Sequence, residues 1–488
     1  MPSVDELVRA VREAPRGPEV AAFFDYDGTV ISGYSATAFY RHRILSLQLG
    51  PQELVRTMLA TARGITSEED FADFLSISLS SWKGKRLEDM QELSQNLFKH
   101  RIAGQLHAET WRLAQAHHEQ GHTVVLASSA TRFQVEPMAA EIGASHLLCT
   151  ELEVVDGLLT GRSTGFAMWA GGKAAAVDRL AAAEGYDLEQ SFAYSNGHED
   201  VAFLSRAGNP VCVEPDSGLT KIAAQRGWPV LRCASRGGTP GPVDIVRTAA
   251  FYGGLAGAFG TGIGLGVLNR SRETLINITG GVGADVSLAV AGIDVDIVVG
   301  AEHLWSARPC VFAFNHQSKI DPILLMKLLR GGFTGVAKQE ARNVPGFGQA
   351  FAIAGVAFID RADAGQARAA MAPAVDKLRA GTSLVIAPEG TRSPTPRLGK
   401  FKKGAFHLAM QAEVPMVPIV IRNAGEVMWR GAQTVRPGRV EVAVLPPVDT
   451  SQWTPATVSE HVAEVRAQFV ETLAHWPSDS NDREVAQP

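Results

Sequence analysis

A run of 21 residues without a single charge, Thr248–Leu268, lies in the middle of this 488-residue chain and contains seven glycines. A helix of that length could span the apolar layer of a bilayer. Glycines four residues apart, at Gly253/Gly257 and Gly260/Gly264, suit close helix–helix contact in lipid. The run separates two stretches that carry their own strand and helix signals, and a chain of this length is expected to form two or three domains.

Both stretches alternate between strand and helix signals, which is typical of α/β folds. In the first, buried strands are predicted from Val20 and over residues 122–127, with helical spacing over residues 35–118 between them. We therefore predict a doubly wound, Rossmann-like α/β domain with a helical cap, followed by a second α/β domain that opens with the strand 293–299. The predicted domains are 1–235 (cap about 35–118), a linker at 236–247, an apolar helical hairpin at 248–291, an α/β domain at 292–475 and a disordered tail at 476–488.

Charge and cysteine content exclude several classes of protein. The 46 basic and 51 acidic residues give 46 − 51 = −5, which argues against a nucleic-acid-binding protein. The four cysteines are widely spaced and form no C-x-x-C pair, so we expect neither a disulfide scaffold nor a thiolate zinc site. The first twenty residues lack the apolar segment of a secretory signal, which predicts a cytoplasmic N-terminal half.

Two carboxylates, Asp25 and Asp27, follow the first buried strand in the segment D-Y-D-G-T. Side chains two residues apart on a strand point the same way, into the crevice where α/β sheets bind ligands. One carboxylate can attack phosphorus while the other exchanges protons with the leaving group. The alternative is a strand-ending turn in which Asp and Gly only satisfy backbone groups.

Three later segments add polar residues at the ends of successive strands. Ser128 ends the second strand, Lys173 follows two glycines, and the segment A-Y-S-N-G-H-E-D places Asp200 after a third strand. With D-Y-D-G-T, this set resembles the haloacid dehalogenase-like hydrolases, specifically the phosphoserine-phosphatase-like subfamily with a helical cap, over residues 20–235. The resemblance implies that Asp25 forms an aspartyl-phosphate and that Asp27 acts as general acid and then base.

The same resemblance implies a substrate and a metal site. Ser128 and Lys173 would bind the phosphoryl group, and Mg²⁺ would be held by Asp25, Asp27 and the last motif, Asn196 with Asp200. Asn196 stands where the family usually has aspartate, and an amide oxygen brings no charge, which predicts weaker Mg²⁺ affinity. The domain is therefore expected to be a phosphatase, with a degenerate regulatory or structural domain as the alternative.

His316 and Asp321 lie five residues apart in A-F-N-H-Q-S-K-I-D-P, just after another predicted strand. A carboxylate bonded to one imidazole nitrogen fixes the tautomer, so the other nitrogen can take a proton from an alcohol that attacks a thioester. The alternative for Asp321 is a helix N-cap, because Pro322 and an apolar run follow it. Both roles could also hold together.

Later segments complete a second family pattern. G-V-A-F-I-D-R ends at Arg361, A-P-E-G-T-R-S begins its motif at Glu389, F-K-K-G follows, and V-P-I-V-I carries Pro418. With the His316 segment, these blocks resemble the four motifs of the glycerolipid acyltransferases, most closely the bacterial 1-acyl-glycerol-3-phosphate acyltransferases, over residues 290–470.

The resemblance assigns these blocks to phosphate binding. Arg361 and Arg392 can grip a phosphate with paired hydrogen bonds, Gly390 lets backbone N–H groups approach the same anion, and Thr391 adds a hydroxyl. Glu389 is expected to position Arg392 or the acceptor hydroxyl. The lysines of F-K-K-G either add diffuse charge or are only solvated.

The apolar middle is predicted to form two helices, about 248–268 and 273–291, in or on one leaflet, which would bring His316 to the lipid surface. The second run is weaker because it contains Asp285. The alternative is a buried, glycine-rich pair of helices in a soluble protein.

Together these features predict a bifunctional enzyme at the cytoplasmic face of the cell membrane. It would transfer an acyl chain from acyl-CoA or acyl carrier protein to lysophosphatidic acid, in contact with membrane lipid, and release phosphate from a phosphorylated small molecule or lipid. The alternatives are an acyltransferase with a degenerate phosphatase-like domain and a phosphatase whose C-terminal half only docks lipid. The sequence indicates no nucleic-acid partner and no particular oligomeric state.

Overall fold

The computed structural model describes residues 2–46, 67–165, 167–234, 240–271, 275–276, 278–338, 357–359 and 367–477. The chain divides into two compact units, Met1–Gly238 and Thr239–Pro488. Most of the predicted tail, residues 478–488, and part of the predicted linker, residues 236–239, lie outside the described residues.

The N-terminal unit is built on one seven-stranded sheet. Its strands are β1 (Ala21–Asp25), β2 (Thr123–Thr131), β3 (His146–Val155), β4 (Leu158–Thr164), β5 (Phe192–Ser195), β6 (Asn209–Val213) and β7 (Val230–Leu231). They lie in the order β4-β3-β2-β1-β5-β6-β7, and β1 runs parallel to β2 and β5. All five residues of β1 are buried, since Ala22 and Phe24 pack into the core on one face and Ala21 and Phe23 into the core on the other. This is the doubly wound α/β arrangement that the sequence predicts.

Nine α-helices are described in this unit. They are α1 (Val4–Glu13), α2 (Ser35–Leu45), α3 (Glu68–Ser80), α4 (Leu87–Leu97), α5 (Ala108–Glu119), α6 (Arg132–Ile142), α7 (Gly171–Glu184), α8 (Val201–Leu204) and α9 (Ser217–Arg226). The first three after β1 lie inside the predicted cap. α5 also falls in the predicted cap range 35–118, but it packs against α1 and β2. The cap prediction therefore extends too far, because an apolar helical spacing does not reveal which layer a helix joins.

The C-terminal unit contains a second seven-stranded sheet. Its strands are β8 (Ile293–Val299), β9 (Val311–Phe314), β10 (Phe333–Lys338), β11 (Ala357–Ile359), β12 (Ser383–Ile386), β13 (Met416–Arg422) and β14 (Gly438–Val444). They lie in the order β11-β10-β12-β9-β13-β14-β8, and β9 is parallel to both of its neighbours, β12 and β13. The four residues of β9 are all buried. The prediction of a second α/β domain is confirmed.

The α-helices described in the C-terminal unit begin with the apolar segment. They are α10 (Pro242–Leu268), α11 (Gly283–Val290), α12 (His303–Ser306), α13 (Asp321–Leu329), α14 (Ala367–Arg379), α15 (Gly404–Ala412), α16 (Ala424–Val427) and α17 (Val458–Ala474). α10 begins at Pro242, so the last six residues of the predicted linker 236–247 are helical. Proline suits the first turn of a helix because its missing N–H has no partner there anyway.

The apolar segment folds as two helices that pack together. α10 contacts α11 and the π-helical turn Ile278–Val282 that precedes it. The contact runs along a row of small residues four apart: a Cβ added at Gly254 would lie 2.8 Å from Ser287 Oγ, and one at Gly262 would lie 2.5 Å from Thr279 Oγ1. Ala258, between them, meets Gly283.

The glycine pairs singled out in the sequence do not form this contact. A Cβ added at Gly253, Gly257, Gly260 or Gly264 would meet no atom of the described residues within 4 Å. The contact with α11 therefore lies about a quarter turn away from these glycine pairs, since a residue step on a helix rotates by roughly 100°. Contact of the pairs with another helix in lipid stays a prediction. Small residues on several faces of α10 made the packed face ambiguous in the sequence.

Candidate active sites

Four polar side chains meet at the carboxyl ends of the central strands of the N-terminal unit. Asp25 ends β1, and its Oδ1 accepts a hydrogen bond from Lys173 Nζ, in the first turn of α7, at 2.8 Å. The same ammonium donates to Asp200 Oδ2 at 2.6 Å, and Ser195 Oγ donates to that oxygen at 2.7 Å. All four residues are buried. The structure thus brings together Asp25, Lys173 and Asp200, which the motifs had singled out, and adds Ser195.

The cluster holds more negative than positive charge, since two buried carboxylates share one ammonium. Burial raises the pKa of Asp25, and the nearby Lys173 opposes this rise. Burial alone would lower the pKa of Lys173, but Asp200 and Asp25 together raise it above its ordinary value. Lys173 is therefore a charged ammonium at neutral pH and can stabilise both a carboxylate and a phosphoryl group.

Asp27 is held by the first residue of the cap. Its Oδ1 accepts the backbone N–H of Ser35 at 2.6 Å, and its Oδ2 accepts the Ser35 hydroxyl at 3.2 Å. Burial raises the pKa of Asp27 to about 6, while the hydrogen bonds from Ser35 oppose the rise. A carboxyl group that titrates near neutrality can both give and take a proton, which suits a general acid and base. Ser35 belongs to no motif, so this contact could not be predicted from the sequence.

Asn196 and Asp25 each have an oxygen close to the Thr29 hydroxyl. Thr29 Oγ1 lies 3.0 Å from Asp25 Oδ2 and 3.3 Å from Asn196 Oδ1, and its single hydrogen can serve only one of them at a time. Asp200 Oδ1 is buried without a hydrogen-bond partner among the described residues. These hard oxygen donors, together with the excess negative charge, fit a divalent cation such as Mg²⁺. Because Lys173 and Ser195 occupy Asp200 Oδ2, only Oδ1 is left for a metal or its water.

Ser128 lies inside β2, which continues past the predicted strand end at residue 127. Its neighbour Ala127 pairs with Asp25 across the two parallel strands. Ser128 Oγ accepts the backbone N–H of Ala130 at 3.1 Å, so its own hydrogen can be donated to a phosphoryl oxygen. The buried hydroxyl is therefore positioned at the same sheet edge as Asp25.

His316 and Asp321 pair in the loop between β9 and α13. His316 Nδ1 lies 2.7 Å from Asp321 Oδ2, and the histidine side chain is 21% exposed while that of the aspartate is fully buried. The same oxygen accepts the backbone N–H groups of Gln317 and Ser318 at 2.8 and 2.9 Å. An oxygen that accepts two N–H groups acts as an acceptor toward the ring as well, so Nδ1 carries the hydrogen and Nε2 is free to act as a base.

The helix-cap alternative for Asp321 is wrong. Ile320 is the N-cap of α13, and Asp321 is its first residue with no side-chain capping bond. The carboxylate instead binds the N–H groups of the loop that precedes the helix, which fixes the backbone around His316. Asp321 Oδ1 is buried without a hydrogen-bond partner among the described residues.

Glu389, in the segment A-P-E-G-T-R-S, binds the loop that carries His316. Its Oε1 accepts the backbone N–H of His316 at 2.7 Å, while its Oε2 accepts the Ser393 hydroxyl at 2.5 Å and the Gly399 N–H at 2.8 Å. In return the Ser393 N–H donates to the His316 carbonyl at 2.7 Å. Burial raises the pKa of Glu389, against these hydrogen bonds. The expected role of positioning Arg392 is not seen; Glu389 positions His316.

The predicted phosphate-binding residues differ in exposure, and one of them lies outside the described residues. Arg392 is half-buried, and its carbonyl accepts a hydrogen bond from the Arg430 guanidinium at 2.7 Å. This hydrogen bond brings the two arginines together, and burial and the charge of Arg430 lower the pKa of Arg392. Thr391 is exposed, and Arg361 lies outside the described residues.

Gly390 differs from its predicted role. It adopts φ +72°, the left-handed region that favours glycine, and its N–H donates to the Ala387 carbonyl at 3.0 Å. The glycine therefore makes a tight turn between Glu389 and Arg392, and its N–H is used inside that turn. Lys402 and Lys403, from F-K-K-G, are exposed, which agrees with the solvated alternative.

Two residues of the histidine loop were missed in the sequence. Asn315 extends the pairing of β9 with β13, since its Nδ2 donates to the Ile421 carbonyl at 2.8 Å and its Oδ1 accepts the Ile421 N–H at 2.7 Å. Lys319 Nζ donates to the Ala432 carbonyl at 2.7 Å. Their only signal was proximity to His316, because the partners lie more than a hundred residues away in the chain.

Comparisons with known proteins agree with this division. The family of haloacid dehalogenase-like hydrolases matches residues 22–205, and the acyltransferase family matches residues 297–422. Over 262 residues the chain is 30% identical to the phosphoserine phosphatase SerB1 of Mycobacterium tuberculosis, which covers 52% of this chain and 85% of that protein. Over 203 residues it is 34% identical to the 1-acyl-sn-glycerol-3-phosphate acyltransferase of Limnanthes alba, which covers 41% of this chain and 71% of that protein.

Solved structures are also similar. The acyltransferase PlsC of Thermotoga maritima, a 1-acyl-sn-glycerophosphate acyltransferase, is 26% identical, with a TM-score of 0.41, and the match covers 47% of this chain and 96% of that one.

Proposed function

We propose a function from two family memberships: the chain belongs to the haloacid dehalogenase-like hydrolases in its N-terminal half and to the acyltransferases in its C-terminal half. The chain joins the two enzyme types in one polypeptide. In our proposal it is a 1-acyl-sn-glycerol-3-phosphate O-acyltransferase that makes phosphatidic acid, fused to a Mg²⁺-dependent phosphomonoesterase. The observation that carries the acyltransferase assignment is the 2.7 Å contact between His316 Nδ1 and Asp321 Oδ2.

In the acyl transfer, His316 Nε2 takes the proton of the acceptor hydroxyl as that oxygen attacks the thioester carbonyl. The bond from the carbonyl carbon to sulfur then breaks, and the thiol of coenzyme A or acyl carrier protein leaves with the proton. Asp321 keeps the imidazole in the required tautomer and stabilises its cationic form. Arg392, with Arg430 beside it, is the cationic feature that would bind the acceptor phosphate; Arg361 is proposed to join it.

In the phosphatase, Asp25 attacks the phosphorus atom and the ester bond breaks, while Asp27 gives its proton to the leaving oxygen. Water then attacks the aspartyl-phosphate, Asp27 takes its proton, and phosphate leaves. Lys173 and the Ser128 hydroxyl stabilise the phosphoryl oxygens. Mg²⁺ would be held by Asp25, the Asp27 carbonyl and Asn196, with Asp200 behind them. It would offset the repulsion between the anionic substrate and the attacking carboxylate.

Membrane association is supported by the apolar surface of the helical pair. The described part of the chain contains one helix, α10, that is long and apolar enough to cross a membrane. Only 17% of its most apolar 18-residue stretch is buried. Ile263 and Leu265 on α10 and Val286 on α11 are exposed. We propose that the pair inserts into one leaflet from the cytoplasm, because both enzymatic halves use phosphorylated or thioester substrates found there.

A degenerate phosphatase half is the second candidate, and Asn196 is the observation that favours it. A neutral amide at a metal ligand position weakens Mg²⁺ binding. Against it, the proposed nucleophile, the proposed general acid and Lys173 all remain at the same edge of the sheet.

One experiment tests both halves together. Purified full-length protein is given acyl-CoA and a panel of phosphorylated acceptors, and acyl transfer and phosphate release are measured in the same reaction. Asp25→Asn should abolish phosphate release alone, and Asn196→Asp should raise phosphate release at low Mg²⁺. If no phosphoester is hydrolysed by the parent or by Asn196→Asp, the N-terminal half is degenerate; if no acceptor is acylated, the acyltransferase assignment is wrong.

A further inference from the structure

A third group of chemically active side chains lies in the N-terminal unit, at the start of α5. His107 is the N-cap of α5, Glu109 lies in its first turn, and Cys233 follows β7. One ligand atom from each, an imidazole nitrogen, a carboxylate oxygen and a thiol sulfur, lies within 4.8 Å of the other two. Neither family motif includes these residues.

Only one of the two Glu109 carboxylate oxygens accepts a hydrogen bond from the described residues. Its Oε1 accepts the backbone N–H of Ala234 at 2.9 Å, which fixes its orientation. Its Oε2 is buried and has no hydrogen-bond partner among the described residues, a costly state for a carboxylate oxygen. His107 beside it is buried, with 3% of its surface exposed. One oxygen of this carboxylate therefore lacks a hydrogen-bond partner among the described residues, in a group that also contains an imidazole and a thiol.

The segment that carries Cys233 is also held in place. The Cys233 N–H donates to Glu214 Oε1 at 2.5 Å, and Arg232 donates to Glu214 Oε2 at 3.2 Å. The His107 N–H donates to the Val30 carbonyl at 3.0 Å, in the loop after the D-Y-D-G-T motif. Backbone contacts therefore orient ligands from both parts of the chain, as outer contacts do in metal sites.

We propose that His107, Glu109 and Cys233 bind a zinc ion that fastens the segment after β7 to α5. A thiolate, an imidazole and a carboxylate together suit Zn²⁺, whereas Mg²⁺ and Ca²⁺ prefer oxygen alone. The charges balance, because one thiolate and one carboxylate neutralise the dication. Bond lengths of about 2.0–2.3 Å place the ligand atoms of tetrahedral zinc roughly 3.3–3.8 Å apart. The three ligand atoms, which lie within 4.8 Å of one another, would close to that spacing on binding. Water would complete the fourth position.

Binding is a proton exchange at Cys233. The S–H bond breaks, a sulfur–zinc bond forms, and the proton leaves to solvent. The expectation against a thiolate zinc site is based on the lack of a C-x-x-C pair. That expectation applies to sites with two thiolates from one motif, whereas the site proposed here uses a single thiolate.

Cobalt provides the direct test, since a thiolate bound to Co²⁺ gives a charge-transfer absorption that oxygen and nitrogen ligands do not. Full-length protein is stripped with a chelator and titrated with Co²⁺ and then with Zn²⁺. We expect one charge-transfer site per chain, displaced by one equivalent of Zn²⁺. Cys233→Ser should remove the absorption, and Glu109→Gln should weaken zinc binding by more than about tenfold, the lower bound for losing even an outer contact of a metal site.

Cys149→Ser is the matched control. Cys149 is also a buried thiol beside a carboxylate, since its Sγ lies 3.7 Å from Glu151 Oε1. Among the described residues, however, it belongs to no group of three potential metal ligands. It should keep the absorption. His198→Gln controls for the exposed group His198, Glu199 and Asp216, which has no thiol. Absence of the absorption in the parent protein, or its persistence in Cys233→Ser, overturns the proposal. Glu109→Gln and the parent titration stay informative if Cys233→Ser does not fold.

Discussion

At the scale of single residues, the acyltransferase site depends on one carboxylate oxygen. Asp321 Oδ2 accepts from the His316 ring and from two backbone N–H groups, so it fixes both the tautomer of the base and the loop that carries it. Glu389 adds a further hydrogen bond to the His316 N–H. The base is thus positioned by two buried carboxylates, one beside it in sequence and one 73 residues away.

The first prediction separates the base from the carboxylate that orients it. His316→Ala should lower kcat for acyl transfer by about 10²–10⁴-fold, the range for removing a general base. Asp321→Asn should lower it comparably, because an amide can donate to Nδ1 and so favour the wrong tautomer. Acyl transfer rates and urea unfolding are measured on the same preparations. Full activity in His316→Ala would refute the mechanism.

The positions of the motif residues could be predicted because they sit at strand ends, and the carboxyl ends of parallel strands share one edge of a sheet. Asp25 and Asp200 are joined through Lys173 for this reason, and Ser128 follows Ala127, which pairs with Asp25. The contacts of Glu389 and Ser35 could not be predicted. They join backbone N–H groups to side chains across loops, and no periodicity in sequence records which N–H lacks a partner.

The second prediction concerns a chain of hydrogen bonds that runs from the Pro15 carbonyl through His122 and His117 to Tyr194. His122 Nε2 lies 2.8 Å from the Pro15 carbonyl, so it carries hydrogen and His122 Nδ1 accepts from His117 Nδ1, also at 2.8 Å. His117 Nε2 then accepts from the Tyr194 hydroxyl at 2.8 Å. Each ring is neutral in this scheme. Burial lowers the pKa of His117 well below its ordinary value of 6.5, and burial also lowers the pKa of His122.

A histidine whose folded pKa is lowered takes up its proton first in the unfolded state, so stability present above about pH 6.5 is lost as the pH falls. One such group changes the free energy of unfolding by up to about 1.4 kcal/mol per pH unit. His117→Gln keeps a donor and an acceptor but cannot titrate, so this slope should shrink between pH 6.5 and 5. Hydrogen exchange of the β1 amides measures it, with His118→Gln on the same helix as the control. An unchanged slope would show that His117 is already protonated in the fold.

At the scale of elements, the packed face of α10 is set by its partner rather than by its own sequence. Three small residues of α10, Gly254, Ala258 and Gly262, line the contact with α11 and the preceding turn, while a Cβ added at the glycines of the G-x-x-x-G pairs would meet no described atom within 4 Å. Asp285, which weakened the apolar signal of the second run, is paired with Lys327 at 2.8 Å and with Arg330, both from α13 or its end. The polar residue thus attaches the helical pair to the helix that begins at Asp321, a contact that hydropathy alone hides.

The third prediction tests the seam by matched substitutions on one helix. A Cβ at Gly262 would lie 2.5 Å from Thr279 Oγ1 and 3.0 Å from the Leu275 carbonyl, so Gly262→Val should push the helices apart and cost about 1–3 kcal/mol. A Cβ at Gly260 would meet no described atom within 4 Å, so Gly260→Val should be nearly neutral. Thermal unfolding in detergent compares the two variants. Equal loss in both would mean that the cost is one of helix propensity and not of packing.

At the scale of the whole molecule, exposed apolar side chains occur in both units, and only one group is proposed to meet lipid. Ile263, Leu265 and Val286 are 39–43% exposed on the helical pair of the C-terminal unit. Val154, Val155 and Leu158 are 38–54% exposed on the β3–β4 hairpin of the N-terminal unit. The two triads are alike in number, chemistry and exposure, so they form a matched pair for asking whether apolar exposure alone binds membranes.

The fourth prediction replaces each triad with serine and measures flotation with vesicles of anionic and zwitterionic phospholipid. Burying an aliphatic side chain completely is worth about 1.5–3 kcal/mol. Since 39–43% of each of these three side chains is exposed and available to lipid, replacing them should cost about 2–4 kcal/mol and weaken partitioning by roughly 20–400-fold. Acyl transfer to detergent-dispersed acceptor should persist, because these side chains lie on the outside of the helical pair, whereas transfer to acceptor in vesicles should fall. The β3–β4 triad should leave both unchanged. Equal flotation of all three proteins would place the membrane contact elsewhere, and no flotation of the parent would favour the soluble alternative for α10.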